Sequence, residues 1–211
     1  TLSDETPRAL TWQPLNTGTS QNIALTNASQ KLNQGEIQGN VAAFSIPANL
    51  GSLEITISSI VQNKQVYVPN VVVFDQQMRP AAFYPASYFP YEPPGIVSSD
   101  RLEGKLKLTP ALGQQQIYIL VYTTRNDLAG TTTLLDPAKA YAQGVGNAVP
   151  AINDPIAQHT DTGMLKVKIK PERNSGNIVI GATAQPDAGT QAEAKPLLNE
   201  TEAYFNDAIK K

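Results

Sequence analysis

The chain has 211 residues and a formal net charge of −2, from 16 Lys+Arg against 18 Asp+Glu. It contains no cysteine and one histidine, which excludes disulfide frameworks, thiol nucleophiles, cysteine-based zinc sites and any multi-histidine metal centre. Charged residues make up only 16% and apolar ones 41%, no basic stripe stands out, and no apolar run approaches the roughly 18–20 residues of a membrane span, so charge-driven disorder, nucleic-acid binding and a transmembrane segment are disfavoured.

Residues 1–22 are polar and aperiodic and read as an N-terminal arm, with Trp12 as its anchor. Thr1 is neither a Met nor the start of an apolar leader, which suits a processed or trimmed form. Alternation begins beyond the arm. The run 41–46 ends at Pro47, and Leu53-Glu-Ile-Thr-Ile57 sets Glu54 and Thr56 opposite its apolar positions, as a strand with one buried face should. Runs at 65–68, 71–74 and 81–84 follow. Tyr84 to Gly95 carries four prolines, which remove donors and fix backbone angles, so it reads as an ordered aromatic loop. Leu102 to Leu108 alternates around Gly104 with Lys105 and Lys107 outward, and the unbroken run 116–122 predicts a central strand covered on both faces.

Asp136-Pro137 is an N-cap followed by proline at the first helical position, so a short helix runs to Gln143. Residues 146–161 read as a loop. Met164 to Ile169 alternates again, and with 177–180, across the turn Asn174-Ser-Gly, predicts a hairpin. Residues 185–198 are small and polar and read as a flexible linker. Asn199-Glu-Thr-Glu202 opens a helix with a capping box, and on it Tyr204, Phe205, Ala208 and Ile209 pair at four-residue spacing as a partner-binding face. The whole is therefore expected to be all-β: an antiparallel sandwich or jelly-roll of about eight or nine strands over residues 23–184, with one short inserted helix and a C-terminal helix at 199–211 after the linker.

Three stretches carry a family likeness: Ser99-Asp-Arg-Leu-Glu-Gly104, Leu108-Thr-Pro-Ala-Leu-Gly-Gln-Gln115, and the segment Leu134 to Asn147. They resemble the maltose operon periplasmic protein (MalM) family, and residues 198–209 are similar to the start of its C-terminal helical segment. The likeness runs from about Ala9 to the end. It implies a periplasmic protein encoded with maltose and maltodextrin uptake genes, with no catalytic mechanism attached, and a family that extends past Lys211, so that the chain looks truncated. Its strand pattern at 44–48, 53–57 and 71–75 also resembles bacterial pre-peptidase C-terminal domains, which are β-sandwiches.

Sugars offer C–H faces that pack on aromatic rings and hydroxyls that need planar polar partners. Tyr84, Tyr88, Phe89 and Tyr91, with Asp100 and Arg101 downstream, supply both and form the candidate carbohydrate site. The expected partners are maltose or maltodextrins, with proteins of the maltose uptake system as the rival, engaged through the sandwich surface and the C-terminal helix. No catalytic residue, metal or cofactor is assigned. No Gly-x-Ser-x-Gly elbow accompanies His159, and Asp154 and Asp161 lack the spacing of a calcium loop.

Overall fold

A computed structural model describes residues 9–148, 151, 153–172 and 178–180. Fourteen strands are found among them. They are β1 (Gln13–Pro14), β2 (Ser20–Leu25), β3 (Ala42–Pro47), β4 (Leu53–Ile60), β5 (Gln65–Val66), β6 (Asn70–Phe74), β7 (Pro80–Tyr84), β8 (Tyr91–Glu92), β9 (Arg101–Pro110), β10 (Gln116–Tyr122), β11 (Thr131–Thr133), β12 (Ile156–His159), β13 (Gly163–Pro171) and β14 (Ile178–Ile180). Helices α1 (Arg125–Leu128) and α2 (Pro137–Gly144) and a 3-10 turn at Ala86–Tyr88 interrupt them.

Two sheets face each other, in the orders β1-β3-β10-β6-β7 and β14-β9-β4-β13-β2, and a small sheet β11-β12-β5 closes one side. The alternation in β4, β9 and β13 sends Leu53, Ile55, Ile57, Leu106, Leu108, Leu165, Val167 and Ile169 into the space between the sheets, where they meet Phe44, Ile46, Val71, Val73, Ile117 and Ile119. Each such side chain contributes about 1.5–3 kcal/mol on leaving water. The five-stranded sheet is apolar on its second face as well. There Val72, Phe74, Leu120 and Tyr122 are covered by Leu10, Leu32 and Ile37. Trp12 lies edge-on to Phe74 and Tyr118, at 6.0 and 5.3 Å, and so anchors the N-terminal segment. β10, predicted as a central strand, sits in the middle of this doubly covered sheet. The outer face of the six-stranded sheet is polar.

Several local expectations are met. Asp136 Oδ1 accepts from the Ala138 amide at 2.8 Å at the start of α2. The expected hairpin at 164–180 is not formed. β13 pairs with β2 and β4, while β14 lies parallel to β9 with Ile178 opposite Leu108. Both runs are β-prone in sequence, and such a pattern alone does not choose a partner. The loop expected at 146–161 contains β12, which pairs antiparallel with β11 and parallel with β5. The described part of the expected arm contributes β1 and the first half of β2 to the two sheets. The linker and the C-terminal helix with Tyr204, Phe205, Ala208 and Ile209 lie outside the described residues.

Candidate functional site

The aromatic segment starts where β7 ends. Asn70 Oδ1 accepts from the Ala86 amide at 2.9 Å, and the chain turns tightly as Tyr88 N and Phe89 N donate to the carbonyls of Pro85 and Ala86. This stacks three rings edge to face: Tyr84 to Tyr88 at 4.8 Å and Tyr88 to Phe89 at 5.8 Å. Tyr84 and Phe89 are buried at the sandwich margin, at 1% and 2% exposure, whereas Tyr88 is half-buried. Phe89 fits because β9 carries Gly104 beneath it. A Cβ on Gly104 would stand 2.7 Å from both the Phe89 ring and the Tyr88 carbonyl oxygen. Tyr88 Oη donates to the Lys105 carbonyl at 3.1 Å, which pins the half-buried ring to the same strand.

β8 then pairs with the start of β9, placing Tyr91 opposite Leu102. Tyr91 Oη donates to Asp100 Oδ2 at 3.0 Å and accepts from the Leu135 amide at 2.9 Å. Partial burial pushes the Tyr91 phenol up; the Leu135 amide opposes this, and the Asp100 carboxylate adds to it. The bond to Leu135 ties the segment to a distant stretch of chain. There Asp154 Oδ1 accepts from the Asp136 amide at 3.0 Å and lies 3.3 Å from Lys139 Nζ. That amide and that ammonium hold the Asp154 carboxyl below the usual carboxylate range. Tyr141, on the same helix α2 as Lys139, is 70% exposed.

Arg101 folds back onto its own segment rather than out into solvent. Its Nε donates to Glu103 Oε1 at 3.0 Å, and its Nη1 donates to the Ser99 carbonyl at 3.0 Å and to Ser98 Oγ at 3.3 Å. Partial burial opposes ionisation of Glu103, but the Arg101 hydrogen bond and a 2.6 Å bond from Ser58 Oγ outweigh it and hold the carboxyl low. Of the six predicted residues, then, Tyr84 and Phe89 are core, Arg101 shapes the loop, and Tyr88, Tyr91 and Asp100 form a half-buried rim. Leu135, Asp136, Lys139 and Asp154 join that rim although nothing in the sequence pattern announced it; Asp136 was legible only as a helix cap.

His159 has both ring nitrogens engaged. The Asp127 carbonyl, 2.6 Å away, can only accept, so Nδ1 carries the proton and Nε2 faces Thr132 Oγ1 at 2.6 Å. Asp127 itself caps α1 with Thr124 and takes a hydrogen bond from Asn70 Nδ2 at 2.8 Å. Two open depressions lie elsewhere. One, of about 340 Å³, is lined by Pro47, Asn49, Gln76, Gln115, Gln116 and Tyr118; the other, of about 290 Å³, includes Thr26, Gln62, Gln65 and Met164. No cluster of three or more potential metal ligands occurs among the described residues, and no described helix is long and apolar enough to cross a membrane.

The family model described as maltose operon periplasmic protein precursor (MalM) matches residues 36–169, a span that contains the aromatic segment and the stretch it is tied to. The maltose operon periplasmic protein of Salmonella typhimurium is 49% identical over 220 residues, covering 95% of this chain and 72% of its own length. Its counterpart in Escherichia coli is 50% identical over 221 residues with the same coverage. Among solved structures, the pre-peptidase C-terminal domain of collagenase from Bacillus anthracis aligns with a TM-score of 0.35 and 10% identity, over 76% of this chain and 95% of that one. The chain belongs to the maltose operon periplasmic protein family, and is a periplasmic protein of the maltose system.

Proposed function

We propose that the chain is a non-enzymatic accessory of maltodextrin uptake, contacting sugar at the rim formed by Tyr88, Tyr91 and Asp100, with Arg101 bracing the loop and Tyr84 and Phe89 as buried supports. The observation that carries this reading is the ring stack: Tyr88 is held between Tyr84 and Phe89 and by its own hydroxyl, so it loses little freedom when a sugar packs on it. Further along the same segment Tyr91 and Asp100 bring a phenol and a carboxylate together, groups that suit sugar hydroxyls. A holding role is favoured over a catalytic one because the groups a hydrolase would draw on are committed to structure. Asp100 serves Tyr91, Asp154 serves Lys139 and the Asp136 amide, and His159 uses both nitrogens.

Titration calorimetry of the full chain with maltose through maltoheptaose tests the proposal. Saturable heats are expected, and Tyr88→Ala and Tyr91→Ala should each weaken binding by ~1–3 kcal/mol. Heats equal to dilution for every oligosaccharide would overturn it. The rival reading, a module that holds proteins of the maltose uptake system, draws on the exposed Tyr141 and Val145 at the end of α2. Its test is recovery of uptake-system proteins from maltose-grown cells with the full chain but not with a Tyr141→Ser/Val145→Ser variant.

A further inference from the structure

The outer face of the six-stranded sheet is strongly cationic although the chain as a whole is slightly acidic. Strand alternation puts Arg101, Lys105 and Lys107 of β9 and Lys166, Lys168 and Lys170 of β13 on that face, against the carboxylates of Glu54, Glu103 and Glu92 (opposite Arg101) and of Glu172 beside Glu54 at its edge. Registration through β4 aligns them in rows: Lys107, Glu54 and Lys170 lie across from one another, as do Lys105, Thr56 and Lys168.

The two carboxylates nearest the lysine rows, Glu54 and Glu103, are already occupied. Glu54 is nearly buried, with Lys170 Nζ 3.2 Å from its Oε1, and Glu103 is held by Arg101 and Ser58. Lys105, Lys107, Lys166 and Lys168 are exposed, and no ion pair to them occurs among the described residues. Pleat and strand spacing put the Cα atoms of these lysines about 7 Å apart along a strand and about 10 Å apart across β4. They therefore form a flat two-dimensional grid rather than a stripe or a pocket. A linear polyanion would use a groove, whereas a planar array of headgroups presents the matching geometry.

A second feature stands beside this grid. Arg101 reaches from the same face to the Ser98 hydroxyl and the Ser99 carbonyl, and the turn it braces is closed by Gly95 N donating to the Ser98 carbonyl at 2.9 Å. At the tip of that turn Ile96 and Val97 are fully exposed, at 103% and 97%. Two aliphatic side chains held out by a braced turn after Pro93-Pro94 have no use in water. Beside a cationic plane they match the acyl boundary beneath anionic headgroups, where an apolar insertion and a polybasic patch reinforce each other.

We propose that this face, with the Ile96–Val97 tip, docks on an anionic lipid bilayer surface. The experiment is cosedimentation of the full chain with vesicles of phosphatidylglycerol and phosphatidylethanolamine, compared with phosphatidylcholine vesicles. Binding to the anionic vesicles alone is expected, falling more than about tenfold between about 50 and about 300 mM salt as screening shortens the reach of the charges. Replacing Lys105, Lys107, Lys166 and Lys168 by Gln should lower binding more than about tenfold and flatten its salt dependence. Ile96→Ser with Val97→Ser should lower binding several-fold while leaving the salt dependence in place. Far-UV circular dichroism confirms folding and should be unchanged, and the melting temperature should move by no more than a few degrees, since Lys105 contributes to holding Glu54 ionised. No binding, equal binding to both vesicle types, or full binding by the Gln variant would overturn the proposal. Capture by immobilised polyglutamate as tight as by the vesicles would overturn the assignment to lipid and make the face an acidic-protein surface.

Discussion

Substituting Gly104 tests how the aromatic segment is seated. In the Gly104→Ala variant the new Cβ would meet Phe89 Cδ1 and the Tyr88 carbonyl oxygen at 2.7 Å each, and Phe89 Cε1 at 2.9 Å. Ordinary contact begins at 3.4 Å, so ring and carbonyl must retreat by about 0.7 Å. The ring is buried against the core and the carbonyl belongs to the backbone, so neither yields freely. Overpacking of this kind costs about 1–3 kcal/mol. Restricting the unfolded chain by a Gly to Ala change returns about 0.4–1 kcal/mol. The net loss is about 1–2 kcal/mol, a fall in melting temperature of roughly 3–8 °C for a chain of this size. Urea and thermal unfolding measure it. Gly144→Ala, whose Cβ meets nothing within 4 Å, is the control and should leave stability unchanged or slightly higher. Combining Gly104→Ala with Phe89→Leu should cost less than the sum of the singles by more than about 0.5 kcal/mol. A single variant as stable as the wild type, or strictly additive costs, would refute the seating of Phe89 on Gly104.

The Tyr84 hydroxyl is buried with no hydrogen-bond partner among the described residues, so Tyr84→Phe should leave stability unchanged or raise it by up to about 1 kcal/mol, measured by urea denaturation. Tyr67 behaves oppositely. Its hydroxyl donates to the buried Asn40 carbonyl at 2.7 Å, and Tyr67→Phe should cost about 1–2 kcal/mol in the same assay. Stability should also fall with acid. Burial opposes ionisation of Glu54, but the Lys170 hydrogen bond and charge and the charge of Lys105 outweigh it, and Glu103 is depressed in the same sense. Carboxyls lowered in the folded state contribute fully above the unfolded carboxylate range, and the contribution is lost as pH falls below about 5 through the folded values. Melting curves from pH 7 to about pH 3 should show this loss, with a shallower slope in the Glu54→Gln/Glu103→Gln variant.

The period-two pattern made β4, β9 and β13 readable because burial of one face is written into each strand locally, and the denser apolar runs of β3, β6 and β10 marked strands covered on both faces. It also placed Lys105, Lys107, Lys166 and Lys168 outward. What it could not reveal is that β9 and β13 flank a shared neighbour, which turns scattered lysines into one plane; that fact lives in the register of β4. The same non-locality hid the parallel pairing of β14 with β9 and the pairing of β12, whose short run carries His159. The ring-rich composition of the aromatic segment was plain, but which rings turn inward was decided by Gly104 and by the Asn70 amide, each far along the chain. The link from Tyr91 to Leu135 spans 44 residues and leaves no periodic trace.

A two-dimensional amide NMR titration of the isotope-labelled chain with maltoheptaose tests the central claim most directly. The account predicts fast, saturable shifts confined to the amides around Tyr88, Tyr91, Asp100, Arg101 and Leu135, with the oligosaccharide intact at the end of the titration. Shifts centred on the Gln76–Gln115 depression, no shifts at all, or shorter glucose oligomers accumulating in the tube would contradict it.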